Sequence, residues 1–299
     1  MGAGAVGGAL ASWLTRRGAR AAVVVARPGS ARAERLAGEL GSRFGALASL
    51  STCDVDLLLL AVPDAALAAT SELLARRPQA PVALHVAGAL GASVLAPLAA
   101  SGCAVGGFHP LRAFAVGEAE REPVVGLFFA LDGAPAAVAM GRRLAAALGG
   151  QAAVVPETSR PLYHLIATLL AGGLTTLAAT AFEIRRAAGL PAEADPGYAL
   201  LAADALAAAL RSEDPAHGIT GPAARGDLET FLTEARSLRD VVPEALPIVL
   251  ALARETLRQR ARIEPESPAR NRLRAALDRP HLLDPAEARV LTSGPEPDG

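Results

Sequence analysis

The sequence predicts an α/β protein. A doubly wound domain with a parallel sheet, whose first strand is cut short, is followed by an all-helical domain. Short Val- and Leu-rich runs, such as those at 19–28 and 54–64, alternate with segments of helix length in the first half of the chain. Nearly continuous apolar runs are typical of strands that are covered on both faces. After about residue 156 long helical stretches replace this alternation.

The remaining elements follow in order along the chain. Three more strands are predicted in "APVALHVAGA", "GCAVGGFHPL" and "EPVVGLFFALDG", and a closing helix and strand in "GRRLAAALGGQAAVVP". One long helix is predicted from the cap Ser159, with Pro161 in its first turn, to the stop at Gly189 and Pro191. Further helices are predicted at 196–211, 228–239 and 243–262. We therefore expect domains at 1–155 and 156–265, and a helical or irregular tail at 266–299 that ends in disorder.

Composition excludes several classes of protein. The chain has 299 residues, is 52% hydrophobic and has a net charge of -1, so it lacks the charge excess of proteins that bind nucleic acid or anionic membranes. The strand-like apolar runs are too short to span a bilayer, and no basic leader precedes them, so we expect a cytoplasmic protein. Two cysteines and no cluster of His, Asp and Glu predict neither a disulfide framework nor a metal site. All 29 basic residues are arginine, which excludes lysine chemistry.

The opening letters "MGAGAVGGAL" contain the G-x-G-x-x-G pattern of a dinucleotide-binding turn. In such a turn the first glycine permits the tight bend, the second lets the backbone approach a pyrophosphate, and the third brings helix and strand together. Pro63 follows the next strand and would flank the same crevice. The predicted cofactor-binding residues here are Gly2, Gly4, Ala5, Val6, Gly7, Val62 and Pro63.

Only Met1 precedes this turn, although a central buried strand normally does. Without that strand, two strand edges would face a gap in the sheet. Because a GTG codon encodes valine internally but can also start translation, our hypothesis is that Met1 is a misread internal valine and that the protein starts upstream.

The end of the second strand indicates which dinucleotide binds. NAD sites place an acidic residue about 20 positions past the glycines. This chain has Arg27, Ser30 and Arg32 there, within "VVVARPGSAR". Guanidinium and hydroxyl groups suit a 2′-phosphate, so the sequence favours NADP, although a solvated arginine turn would have the same letters.

Three groups of residues are candidates for catalysis or substrate binding. His109 follows a predicted strand, where ligand crevices form, and Tyr163 and His164 lie in the first turns of the long helix, with Thr168 on the His164 face. Each histidine could be a general acid, and the alternative is structural packing. Arg112 and Arg225 could hold an anionic group of a substrate. Asp227 is expected to be a helix cap paired with Arg225, and His85 is a weaker candidate.

The motifs "GAGAVG", "FHPLRAF", "RPLYHLIA" and "TGPAARGD", in this order, resemble a bacterial family that joins a Rossmann-like domain to domain of unknown function 2520. The family is distantly similar to ketopantoate reductases, pyrroline-carboxylate reductases and β-hydroxyacid dehydrogenases. The resemblance implies an NADP-binding fold, a helical domain that often forms a homodimer, and reductase activity on a small carbonyl or imine substrate.

This chain departs from the family pattern at four matched positions, where small apolar residues replace polar ones. The positions are Ala87, Ala113, Ala171 and Gly172. Related dehydrogenases also use a lysine and an asparagine on the long helix, which are missing here. The alternative is therefore a dinucleotide-binding protein without chemistry, which acts as a sensor or a partner subunit.

Overall fold

The computed structural model describes residues 1–46, 55–76, 80–114 and 126–279. The chain divides into two compact units, Met1–Leu174 and Thr175–Gly299. The division falls inside the long helical region, whereas the sequence suggests a boundary at residue 155. Cys53, His281 and the end of the tail lie outside the described residues.

The first unit alternates strands and helices along the chain, as the apolar runs predict. Its strands are β1 (Val23–Val25), β2 (Arg43–Gly45), β3 (Leu57–Leu60), β4 (Val82–His85), β5 (Ala104–Pro110), β6 (Phe128–Gly133) and β7 (Gln151–Val154). Its helices are α1 (Ala5–Arg16), α2 (Ala31–Glu39), α3 (Asp64–Ala75), α4 (Ala96–Ala100), α5 (Pro135–Ala147) and α6 (Arg160–Thr168), with 3₁₀ turns at Ala92–Leu95 and Glu157–Ser159.

The strands form two sheets. One contains β1 and β2 in parallel, and the other has the order β3-β4-β5-β6-β7. β6 pairs antiparallel with β5, with Phe108 opposite Leu131, and β7 pairs parallel with β6, so these two strands run opposite to β3, β4 and β5. Helices α1 and α5 contribute Trp13 and Ala145 to the apolar core against the larger sheet. The predicted α/β class is therefore confirmed, with a mixed rather than wholly parallel sheet.

The interruption of the sheet lies where the sequence predicts a shortened first strand. The backbone of Met1 and Gly2 lies between β1 and β3, because the Gly2 N–H donates to the Val25 carbonyl (2.9 Å) and the Ala61 N–H donates to the Met1 carbonyl (2.7 Å). The Met1 amino group donates to the Leu59 carbonyl. Two residues thus join both edges at one end of the gap.

The rest of the gap is an open slot. A cavity of about 1060 Å³ extends along it, with Val23 and Val25 on one side, Leu57 and Leu59 on the other, and Met1 at its end. The Arg43 N–H donates to the Ala22 carbonyl and the Val86 N–H to the Leu60 carbonyl, so the even-numbered residues of β1 and β3 face their paired strands. Because backbone groups alternate in direction along a strand, the odd-numbered residues turn theirs toward the slot.

Helices make up the second unit in the described part of the chain. They are α7 (Leu174–Ala187), α8 (Asp195–Arg211), α9 (Pro222–Arg225), α10 (Leu228–Val241), α11 (Leu246–Ile263) and α12 (Pro268–Leu277), with 3₁₀ turns at Ala192–Ala194, Pro215–Gly218 and Pro243–Ala245. Phe231, Leu257 and Leu273 from the last three helices form the largest apolar cluster of this unit. The prediction of a helical second domain is confirmed.

The long helix predicted from Ser159 is interrupted by a π-helical segment, Leu169–Gly173, between α6 and α7. The Ser159 side chain makes no capping hydrogen bond, contrary to expectation, whereas Pro161 does occupy the first turn. An added Cβ at Gly172 would meet nothing within 4 Å, so no described residue packs closely against this glycine. The region Glu157–Ala187 is also long and apolar enough to cross a membrane by length and composition alone, which the short strand-like runs did not indicate.

An engineered strand ahead of Met1 tests whether the slot is a strand position. We expect six apolar, β-branched residues added before Met1 to raise the melting temperature by about 5 °C or more, because they would pair with both exposed edges and cover apolar surface. The same extension with two central prolines is the control, since proline cannot donate to the ladder. Equal melting temperatures for the two proteins would contradict this interpretation.

Candidate functional site

The glycine turn has the close contacts that its spacing predicts. Gly2 has a φ of 86°, and an added Cβ there would collide with the Ala61 carbonyl. An added Cβ at Gly7 would collide with the Gly2 carbonyl and lie 2.7 Å from the Ala61 Cβ. Neither position can therefore hold a larger residue while α1 stays this close to the end of β3.

Gly4 differs from these two glycines because it faces open space. An added Cβ at Gly4 would meet nothing within 4 Å. Gly4 is also the N-cap of α1 and offers no side chain to the first N–H groups of the helix, which include those of Ala5 and Val6. Uncapped N–H groups and the helix dipole favour an anion at this end. The turn therefore fits a pyrophosphate group.

Arg27, Ser30 and Arg32 follow the carboxyl end of β1. Arg27 and Arg32 are exposed, whereas Ser30 caps α2, with its hydroxyl accepting from the Ala33 N–H (3.4 Å). At the end of β3, Val62 and Pro63 lead into α3, with Pro63 as its N-cap. Both segments lie at the edge of the sheet where the glycine turn begins.

His109 and Tyr163 are in direct contact, although 54 residues separate them. The His109 Nδ1 and the Tyr163 hydroxyl are 3.0 Å apart, and their rings meet edge to face with centroids 5.6 Å apart. His164 also contacts His109, with ring centroids 5.8 Å apart. The structure thus brings together all three residues that the sequence predicts for catalysis.

Gly88 makes room for this cluster. It follows the carboxyl end of β4, and an added Cβ would collide with the His164 ring and lie 2.8 Å from the His109 Nε2. Both imidazoles therefore lie directly against the backbone beyond β4. This steric role of Gly88 was not predicted from the sequence.

Burial sets the protonation of two of these groups. It lowers the pKa of His109 to about 4, and the positive charge of Arg160 and the neighbouring His164 add to the effect. Burial also raises the pKa of Tyr163 to about 12, although Arg160 acts in the opposite direction. At neutral pH the pair is thus an uncharged imidazole and an uncharged phenol. His109 has no second proton to give, which argues against the predicted role as an imidazolium acid.

A buried ion pair that the sequence analysis missed lies beneath the cluster. The Arg160 Nε donates to the Asp132 Oδ2 (3.1 Å), and Arg160 is fully buried. His85 is also fully buried, and burial lowers its pKa. The available signal was Asp132 itself, a lone carboxylate in the apolar run "FFALDG", because a buried charge requires a partner.

The predicted substrate-binding residues are more dispersed. The Arg112 guanidinium lies over the Trp13 ring, 5.8 Å from its centroid. The Thr168 hydroxyl donates to the His164 carbonyl one turn earlier (3.0 Å). Arg225 belongs to the second unit, where it is paired with Asp227 (4.0 Å).

Asp227 caps α10 as predicted, because its side chain accepts from the Thr230 N–H (3.2 Å). No group of three or more His, Cys, Asp or Glu residues in the described ranges could hold a metal ion.

Solved structures show that the fold is shared with other proteins. The chain is 23% identical to BF3122 of Bacteroides fragilis, a candidate NADP oxidoreductase, over 85% of this chain and 95% of that one, with a TM-score of 0.70. It is 19% identical to TM1727 of Thermotoga maritima, over 87% and 97%, with a TM-score of 0.65. It is 16% identical to a Myxococcus stipitatus imine reductase in complex with NADP⁺, over 90% and 96%, with a TM-score of 0.58.

No curated protein matches the chain. Two family models do, and they cover most of it. A Rossmann-like domain matches residues 1–110, and the domain of unknown function (DUF2520) matches residues 127–256. The order of the two matches agrees with the resemblance that the four sequence motifs indicate. The chain therefore belongs to the proteins that join a Rossmann-like domain to DUF2520.

Proposed function

We propose that the protein is an NADP-dependent oxidoreductase that reduces a C=O or C=N bond of a small substrate. The observation that carries the proposal is the convergence of His109, Tyr163 and His164, in the same domain as the glycine turn. His109 is the second-last residue of β5 rather than past its end, as the sequence suggested, so the cluster lies at the carboxyl end of that strand. Ligands of open α/β sheets bind at the carboxyl ends of the strands. Two proteins that share the fold are described as an NADP oxidoreductase candidate and an imine reductase with NADP⁺.

Several residues of this chain would hold the cofactor. The bare N-terminus of α1 at Gly4 would bind the pyrophosphate, and Arg27, Ser30 and Arg32 would contact the 2′-phosphate. Val62 and Pro63 would flank the crevice. When bound, the nicotinamide supplies a hydride to the substrate carbon. The protein must then orient the substrate and supply one proton.

Tyr163 is the proton donor in this mechanism. Its hydroxyl proton would pass to the substrate oxygen or nitrogen while the negative charge develops there. His109, with a proton on Nδ1, would return that proton to the Tyr163 oxygen across the 3.0 Å contact and take up one proton from solvent at Nε2. One proton enters and one leaves, so the imidazole ends neutral. His164 lies against the His109 ring and would orient it or the substrate.

Substrate contacts by Arg112, Thr168 and Arg225 stay predictions. Arg112 follows β5 by two residues and is the guanidinium nearest in sequence to His109. It would suit a substrate with an anionic group.

A second candidate function is dinucleotide binding without chemistry. The observation that favours it is the small apolar set Ala87, Ala113, Ala171 and Gly172 at positions where the family has polar groups. Ala87 is buried next to Gly88, so this position adds no polar side chain to the cluster. The turnover measurement below separates the two candidates.

We also propose that the protein is a cytoplasmic homodimer. Leu162, Leu165, Ile166, Leu169 and Leu170 in the long helical region are each 49–66% exposed. Consecutive exposed apolar residues on one helix are typical of a protein interface, and the resemblance implies that a second copy covers them. Membrane insertion is the alternative that the same composition allows.

NADPH should bind more tightly than NADH. Replacing Arg27 and Arg32 with serine should weaken NADPH binding by about 10-fold or more and leave NADH binding unchanged, because only NADPH has the 2′-phosphate. A fluorescence titration of the nicotinamide measures both, ideally also on the chain with an added first strand. Arg20→Ser with Arg186→Ser is the control for charge loss. If neither dinucleotide binds, the proposed function is wrong.

Tyr163→Phe should lower kcat by about 100-fold with little change in NADPH affinity, because only the proton donor is removed. His164→Ala should also lower turnover while NADPH binds normally. Tyr198→Phe, at the chain's other and exposed tyrosine, is the control. NADPH consumption with a panel of small ketones and imines gives the rates. Unchanged turnover in Tyr163→Phe would exclude the mechanism, and no turnover in wild type would favour the binding protein.

Ile166→Glu should convert the homodimer to a monomer, because it places a charge in the apolar surface. Size-exclusion chromatography with light scattering measures the mass. Leu73→Glu, at a similarly exposed leucine of α3, should leave the mass unchanged. A monomeric wild type would contradict the proposed dimer.

A further inference from the structure

Three residues that are paired across neighbouring strands form a row beneath the candidate site. His85 of β4 lies opposite Gly107 of β5, which lies opposite Asp132 of β6. Residues paired in this way share one face of the sheet. Gly107 lacks a side chain, so the row has a notch at its centre, with an imidazole on one side and a carboxylate on the other.

The guanidinium of Arg160 occupies this notch. An added Cβ at Gly107 would lie 2.5 Å from the Arg160 Nη2 and 2.6 Å from the Asp132 Oδ1, so only glycine leaves room for both. Arg160 donates from Nε to the Asp132 Oδ2 (3.1 Å) and from Nη2 to the Ala130 carbonyl (3.2 Å). The Gly107 N–H holds the other carboxylate oxygen (2.7 Å). Three hydrogen bonds thus fix the orientation of the ion pair.

Stability alone does not explain this arrangement. Removing two charges from water costs several kcal/mol per ion, and a packed apolar pair of similar volume is often as stable. A buried ion pair at the first residue of α6 does fix where that helix begins relative to the sheet. The placement of α6 also affects the site, because Tyr163 is three residues after Arg160 in this helix and therefore lies on the same face.

The Tyr163 ring lies against the guanidinium. The Arg160 Cζ is 5.9 Å from the ring centroid, within the range of a cation–π interaction. The hydroxyl of the same ring lies 3.0 Å from the His109 Nδ1. Arg160 is therefore in contact with the residue that we assign as proton donor, without itself reaching that hydroxyl.

We propose that Arg160 is the positioning residue of this site: its guanidinium, fixed over Gly107 by Asp132, sets the place of the Tyr163 ring against His109. The inference rests on the proposed function for its catalytic meaning, but the positioning itself is a property of the protein without substrate. It assigns a role in the reaction to Asp132 and Gly107, neither of which reaches the reacting atoms.

NMR spectroscopy can measure this positioning without turnover. In the double variant Arg160→Gln, Asp132→Asn both charges are lost while hydrogen-bonding groups remain, so the protein is expected to fold. NMR of protein labelled at histidine should show the pKa of His109 raised by at least about half a pH unit, because the nearby cation is gone. His164 and His85, which also act on His109, remain in place. The contacts between the Tyr163 and His109 rings should weaken in the same spectra.

Three further variants separate the effect of the Arg160 charge from the effect of its geometry, and they test the inference even if the double variant fails to fold. Arg160→Lys keeps the charge but has one nitrogen in place of the planar fork that bonds Asp132 from Nε and Ala130 from Nη2, so the ring contacts should weaken while the His109 pKa stays low. Gly107→Ala, which fills the notch, should weaken them as well. Arg185→Gln with Asp195→Asn removes a more exposed Arg–Asp ion pair between α7 and α8 and should change neither readout.

Native ring contacts and an unchanged His109 pKa in a folded double variant would overturn the inference. So would ring contacts in Arg160→Lys that match the wild type. Failure of NADPH to bind wild-type protein would instead overturn the proposed function. It would not change what the NMR measurement says about the position of Tyr163. With a substrate in hand, the double variant should lose at least about 10-fold in kcat at unchanged NADPH affinity.

Discussion

The ion pair between Arg160 and Asp132 connects the two parts of the candidate site. His109 belongs to a strand, whereas Tyr163 and His164 belong to a helix that begins after β7. Nothing in the local sequence of either segment sets their distance. The guanidinium in the notch over Gly107 does so, because it is bonded to β6 on one side and lies against Tyr163 on the other.

A second constraint acts at the glycine turn of the same domain. A parallel sheet needs hydrogen bonds on both edges of its central strand. Met1 and Gly2 provide these bonds at one end of the gap between β1 and β3, and Gly2 then turns directly into α1. The glycine turn is therefore held by the last residues of a strand position, and its contact with Ala61 depends on them.

The proposed mechanism supplies a proton without lysine. An imidazole and a phenol, both neutral at pH 7, share one hydrogen bond in a buried setting. Burial moves their pKa values apart, to about 4 and about 12, so neither group carries charge and a proton can pass along the pair without creating a buried ion. The buried charges next to this pair, on Arg160 and Asp132, form an ion pair and so compensate each other.

Periodicity and glycine spacing by themselves determined the order of strands and helices, the glycine turn and the helical second domain, because these depend on local residue patterns. They also placed His109 at a strand end and Tyr163 with His164 at a helix start. They did not predict β2, whose three residues include an exposed arginine, nor the antiparallel pairing of β6, nor the π segment at Leu169–Gly173.

Only the tertiary structure decided that His109 meets Tyr163, that Gly88 and Gly107 are needed for close approach, and that Asp132 has Arg160 as its partner. Each of these contacts joins residues that are at least 20 positions apart in sequence. Contacts of that kind follow from strand register and helix placement, which no local pattern encodes.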